Sequence, residues 1–256
     1  NILGWGGDDT LVVDYANGDP LAGITFNYDG GTGGDDALQV INGGGRVGSY
    51  QPAATAGDGL VTVGGSTIHF TGLEPVLVSG LSEFTFITPN SNDVLTVDSP
   101  AAGQNRVSGT SGGVAFESLT FTNVSHFKID AATNDAPLAN PNDTVMFSSD
   151  LVATGLQSFT VETGAGNDVV NAMSVTALPL TILGGDGDDL LTGGGGGDRI
   201  EGGAGNDTIV GGPGSDRLFG GDESDLFTWN IGDGNDLLEG GGGSDELLFV
   251  GNASAN

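Results

Sequence analysis

The chain has 256 residues, 49 of them Gly, and its 34 Asp and Glu against 5 Lys and Arg give a formal charge of −29. Five cations are too few to displace the counterions of a nucleic acid, and an anionic membrane surface repels such a chain. No run of about 18 apolar residues is present to span a bilayer, and with no Cys a disulfide framework is excluded.

High charge with abundant Gly ordinarily points to disorder. Here 37% of the residues are still hydrophobic, enough to form short β-branched and aromatic runs such as Leu11-Val12-Val13, Phe84-Thr85-Phe86-Ile87, Val94-Leu95-Thr96-Val97 and Phe159-Thr160-Val161. The acidic residues recur between these runs and do not form a tail. A cation that offsets the charge and orders the turns reconciles the two features, and the chain then folds only in its presence.

In chain order, Gly4 to Val12 and Gly31 to Gln39 align as Gly-x-Gly-Gly-Asp-Asp-x-Leu-x, with the acidic pairs Asp8-Asp9 and Asp35-Asp36. A looser unit follows. Phe84-x-Phe86 precedes Asn92-Asp93, Phe127-x-Ile129 precedes Asn134-Asp135, and Phe159-x-Val161 precedes Asn167-Asp168. Counted along the chain, the acidic steps stand 27 apart from Asp9 to Asp36, 50 from Asp93 to Asp143, 25 from Asp143 to Asp168 and 21 from Asp168 to Asp189. These spacings predict coils of about 20–28 residues that tighten toward the C-terminus. The expected fold is all-β: one right-handed parallel β-solenoid, wide at the N-terminal end and narrowing to a β-roll. An ordinary β-sandwich joined to a β-roll has similar short strands and is the alternative.

From Gly184 the period is strictly nine. Units begin at Gly184, Gly193, Gly202, Gly211 and Gly220, then, after the insertion Trp229-Asn230, at Ile231 and Gly240. Position six is always Asp: Asp189, Asp198, Asp207, Asp216, Asp225, Asp236 and Asp245. Position eight is always large and apolar: Leu191, Ile200, Ile209, Leu218, Phe227, Leu238 and Leu247. Three residues suffice for a short strand with one inward side chain, and six Gly-rich residues turn the chain. Two units then close one coil, so that Asp189, Asp207, Asp225 and Asp245 fall on one edge and Asp198, Asp216 and Asp236 on the other.

This pattern, G-G-x-G-x-D-x-U-x, resembles the RTX nonapeptide family of secreted calcium-binding proteins. Stacked carboxylates about 4.8 Å apart repel, and a hard divalent cation between them reverses that. Calcium accepts 6–8 oxygen ligands, carbonyls included, whereas the absence of Cys and the presence of only two His argue against zinc or copper. The resemblance implies that turn carbonyls complete each site at positions matching Gly185, Gly187, Gly194, Gly196, Gly203, Gly205, Gly212 and Gly214. The acidic steps Asp9, Asp36, Asp93, Asp143 and Asp168 are further candidate ligands. The larger units, such as Leu95-Thr96-Val97-Asp98, also resemble bacterial adhesin-type solenoid arrays.

Three segments are therefore expected: a wider-coil solenoid over 1–183, a β-roll over 184–248 and a tail over 249–256. No catalytic set is visible, because His69 and His126 stand in strand-like runs and no nucleophile elbow, zinc-binding helix or phosphate loop is present. The chain begins at Asn1 without Met and starts almost at once on a repeat, which suggests a mature fragment, an excised module or a unit of a longer array. The expectation is a calcium-stabilised, non-enzymatic, extracellular or cell-surface structural protein, an adhesin stalk or filament subunit. Its partners would be itself, end to end, or further repeats of the same chain. The alternative is a calcium-binding module of a secreted polysaccharide-active or proteolytic enzyme.

Overall fold

The computed structural model describes residues 1–89, 91–134 and 140–251. The acidic step expected at Asp135 and the last residues of the tail lie outside the described residues. Alternating burial along nearly every segment is the period-two signature of strands with one face inward.

The first strands are β1 (Ile2–Leu3), β2 (Thr10–Asp14), β3 (Thr25–Asp29), β4 (Ala37–Ile41), β5 (Val47–Pro52), β6 (Gly59–Val63), β7 (Ser66–Thr71) and β8 (Val76–Ile87). The middle of the chain forms β9 (Asp93–Asp98), β10 (Asn105–Ser111), β11 (Val114–Ala115), β12 (Leu119–Asp130), β13 (Thr144–Phe147), β14 (Ser158–Ala165) and β15 (Val169–Asn171). The Gly-rich segment adds β16 (Leu180–Asp186), β17 (Leu190–Thr192), β18 (Arg199–Ala204), β19 (Thr208–Val210), β20 (Arg217–Asp222), β21 (Leu226–Asn230), β22 (Leu237–Gly241) and β23 (Glu246–Val250).

The strands pair mostly in parallel, in two stacks that alternate along the chain. One runs β2-β4-β8-β12-β14-β16-β18-β20-β22 and the other β9-β13-β15-β17-β19-β21-β23. The chain is thus an all-β solenoid, as its repeats lead one to expect. Register gives the coil lengths. Thr181 opposes Arg199 and Leu190 opposes Thr208, a step of 18 along the chain. The insertion Trp229-Asn230 lengthens the next step to 20, as in Arg217 opposite Leu237, and is absorbed by longer strands in which Trp229 pairs with Phe249.

The widening differs from the expectation. The first coil steps by 27, Thr10 opposite Ala37, and the widest coils lie in the middle, with steps of 43 from Val76 to Leu119 and 50 from Val94 to Thr144. The interval from Asp93 to Asp143 is therefore one coil, not two. Its extra length is an antiparallel insertion in which β10 pairs with both β9 and β12. A second insertion, the meander β5-β6-β7, connects β8 to β3. Hairpins at Gly64-Gly65 and Gly112-Gly113 make these reversals possible, since both residues of each pair have positive φ, the requirement of a tight type I′ turn.

Coil width sets what fills the interior. The wide coils are packed with Phe84, Phe86, Phe121, Phe127 and Phe159, and the Phe121 and Phe127 rings lie 3.9 Å apart at their centroids. The narrow coils have room for one apolar side chain per strand: Leu191, Ile200, Ile209, Leu218 and Phe227, all buried. So thin a core leaves the Gly-rich turns to be held by other means.

Candidate metal centre

The Asp residues stand at the strand starts, where each turn meets its strand. Along one edge the backbone N–H of each Asp donates to Oδ1 of the Asp in the next coil. This relay runs from Asp93 to Asp143 (2.8 Å), Asp143 to Asp168 (2.7 Å), Asp168 to Asp189 (2.8 Å), Asp189 to Asp207 (2.9 Å), Asp207 to Asp225 (2.9 Å) and Asp225 to Asp245 (3.1 Å). On the other edge Asp198 donates to Asp216 at 2.8 Å and Asp216 to Asp236 at 3.0 Å, and the series is headed by the Leu180 N–H on Asp198. Asp9 donates to Asp36 at 2.8 Å as a separate rung of the same kind. The intervals of 27, 50, 25, 21 and 18 seen in the sequence are thus the distances along the chain between rungs.

Each bond uses only one carboxylate oxygen. Oδ2 of Asp189, Asp207, Asp216 and Asp225 is buried and accepts no hydrogen bond among the described residues. Asp198 differs: its Oδ2 accepts the Gly194 N–H at 2.7 Å. A buried anionic oxygen without a partner is costly, and it marks a place where a positive charge belongs. The cost shows in the acidities. Burial, with repulsion from Asp168, Asp207 and Asp188, pushes Asp189 up to about 8. Burial likewise raises Asp207 to about 6 and Asp216 to about 7. Asp93, Asp168, Asp198 and Asp225 are raised for the same first cause.

The glycines explain the shape of the turns. At position one a Cβ would collide with the carboxylate of its own unit, as at Gly184 against Asp189 and Gly202 against Asp207. At positions two and four it would collide with a carbonyl one coil earlier: Gly203 with Gly185, Gly205 with Gly187, Gly212 with Gly194 and Gly214 with Gly196. Gly194 and Gly196 in turn face the carbonyls of Val175 and Leu178. The eight candidate glycines therefore lie in columns of carbonyl groups beside the carboxylates. Among the described residues no three His, Cys, Asp or Glu side chains converge on one point. A donor set here is one of carboxylates and carbonyls, all oxygen, which fits calcium and not zinc.

A second relay has no counterpart in the sequence reading. At position five the side chain of one coil accepts the N–H of position five in the next: Asn142 from Asn167 (2.9 Å), Asn167 from Asp188 (3.1 Å), Asp188 from Asn206 (2.8 Å) and Asn206 from Ser224 (3.3 Å). It runs against the direction of the Asp relay, so neighbouring peptides are clamped both ways. Its signal is the run of polar residues Asp188, Asn206, Ser224 and Ser244, at every second unit, in a position that the nonapeptide pattern leaves open.

Family comparison matches four copies of the RTX calcium-binding nonapeptide repeat, over residues 181–200, 192–227 and 232–248. The C-terminal coils are RTX repeats. RTX repeats bind multiple calcium ions and are typical of secreted proteins. No curated protein matches the chain. No helix among the described residues is long and apolar enough to cross a membrane.

The remaining candidates are not brought together. His69 and His126 are exposed on β7 and β12, and His126 Nδ1 lies 2.7 Å from Ser158 Oγ. Arg199 and Arg217 stand opposite each other in register, and Arg199 pairs with Glu201.

Proposed function

We propose that the chain is a calcium-stabilised structural rod of the extracellular space or cell surface, a stalk or filament subunit. Its calcium ions lie between successive coils of the 184–248 segment, held by Asp189, Asp207, Asp225 and Asp245 on one edge and by Asp198, Asp216 and Asp236 on the other. The glycine carbonyls at positions two and four complete the oxygen set. Calcium there supplies the positive charge that the stacked carboxylates lack. The observation that carries this reading is the column of buried Asp Oδ2 atoms with no hydrogen-bond partner, repeated from coil to coil. A charge of −29 over a core this thin favours a protein whose folding is coupled to metal, since binding free energy then becomes folding free energy. The outside of the cell supplies calcium at mM concentration, which suits open sites of modest affinity.

Far-ultraviolet circular dichroism at neutral pH is the test. The β spectrum is expected in calcium and its loss, at least for the C-terminal coils, in excess chelator at low ionic strength. A spectrum indifferent to chelator overturns the proposal.

A further inference from the structure

The Asp relay does not stop where the matched repeats begin. Asp168, 1% exposed, donates its N–H to Asp189 and accepts the Asp143 N–H on Oδ1, while its Oδ2 accepts no hydrogen bond. The Thr163 hydroxyl stands beside this carboxyl and lies 3.0 Å from the Gly184 carbonyl. The turn that carries Asp168 reads Thr163-Gly164-Ala165-Gly166-Asn167-Asp168-Val169-Val170-Asn171. That is a nonapeptide unit with Thr for the first Gly.

The stacking is that of a repeat. Gly164 opposes Gly185 and Val170 opposes Leu191, both at the constant offset of 21 that separates Asp168 from Asp189. Gly164 and Gly166 have φ of 102° and 138°, beside 125° and 126° at Gly185 and Gly187. Their carbonyls sit where a Cβ on Gly185 or Gly187 would collide, the relation that Gly185 and Gly187 have to Gly203 and Gly205. The Gly166 N–H bonds the Asp186 carbonyl at 2.8 Å, as the Gly187 N–H bonds that of Ala204 at 2.6 Å.

We propose that residues 163–171 are a further calcium-binding unit, and that a calcium ion is held between the Asp168 turn and the Asp189 turn by those carboxylates and the carbonyls of Gly164 and Gly166. The inference rests on the calcium reading of the 184–248 coils. The other edge supplies a contrast. There the turn above Asp198 is made by Val175, Leu178 and Pro179, and Leu180, not an Asp, donates to Asp198. The column of ions therefore gains one site at its N-terminal end on the first edge, whereas on the second edge it begins at Asp198.

Calcium titration of the full chain by calorimetry, wild type against D168N, decides it. One calcium fewer per chain is expected in D168N, with the C-terminal coils still folding in calcium. An unchanged number overturns this inference alone, whereas a wild type that binds no calcium overturns the proposed function with it. Should D168N not fold, crystals of the unaltered chain soaked in terbium give the answer. An anomalous peak between Asp168 and Asp189, with none between Pro179 and Asp198, is expected. Peaks confined to the gaps beyond Asp189 overturn it.

Discussion

Gly203 and Gly242 are both glycines of the C-terminal coils, yet they carry different loads. Gly203 has φ of 125° and faces the Gly185 carbonyl so closely that a Cβ has no place. At Gly242 the heavy atom nearest to where an alanine methyl would stand is 3.6 Å away, an ordinary contact. Gly203→Ala should lower the melting temperature in saturating calcium, from backbone strain of about 1–3 kcal/mol and the clash together. Gly242→Ala should stay within about 0.5 kcal/mol of the parent. Glu117 makes a separate case in the wide coils. It is 7% exposed, and burial, then repulsion from Glu74, pushes its carboxyl up to about 7 against the opposing Gly57 N–H. The folded chain therefore holds a proton that the unfolded chain releases from about pH 4.5 upward, so stability falls as pH rises from there through 7. Glu117→Gln should flatten that fall in calcium-containing buffer, as read from urea midpoints at successive pH values. An equal slope in both proteins would remove Glu117 from the account. Residues of this kind are invisible in one sequence, because a lone Glu carries no spacing. The Asp of position six was readable because it recurs, and Asp168 because a looser step repeats it.

Each narrow coil stands on its position-eight side chains. Ile209 is wholly buried between Leu191 and Phe227, whereas Leu247, in the last coil, is 47% exposed. Ile209→Ala should cost about 2–5 kcal/mol in denaturant titration with calcium present, and Leu247→Ala much less. Comparable losses at the two sites would mean that Leu247 is covered in solution. The nine-residue period made these strands readable, since position and burial repeat together. The wide coils were harder. β6 reads Gly-Leu-Val-Thr-Val and β10 has Val107 as its one apolar side chain, and nothing local in either tells an antiparallel neighbour from a parallel one. The interval of 50 from Asp93 to Asp143 therefore exceeds the coil length that the other spacings predict, although Gly112-Gly113 holds the clue to a hairpin inside it.

Among the described residues, the outermost strands of the stacks, at the two end faces, have partners on one side only. β22 and β23 pair backward to β20 and β21, and β1 and β2 pair forward to β3 and β4. Apolar side chains are exposed at both faces, with Trp5 at 87% and Phe249 at 64%. Unpaired strand edges invite another strand, and a head-to-tail contact of this type does not close on itself. The relay has a sense as well, N–H toward the C-terminal coil and carboxylate toward the N-terminal one, so unlike faces are complementary. Coils stepping by 27 at one face and by 20 at the other permit partial stacking only. Sedimentation in calcium at rising concentration should show species above 25.4 kDa that chelator dissolves. A monomer throughout would confine the rod to the length of one chain.

The hairpins at Gly64-Gly65 and Gly112-Gly113 have one more implication. Coil length varies from 18 at Asp189 to 50 at Asp93, while the bonds between rungs stay between 2.7 and 3.1 Å. The scaffold therefore counts rungs and not residues, and what the chain does between two rungs is free to drift. At Gly65 and Gly113 an added Cβ would meet no heavy atom within 4 Å, so both tips stand clear of the rest of the chain. Each tip is a socket at which foreign sequence can be plugged in, to be displayed on the flank of the rod without changing which residues meet inside it.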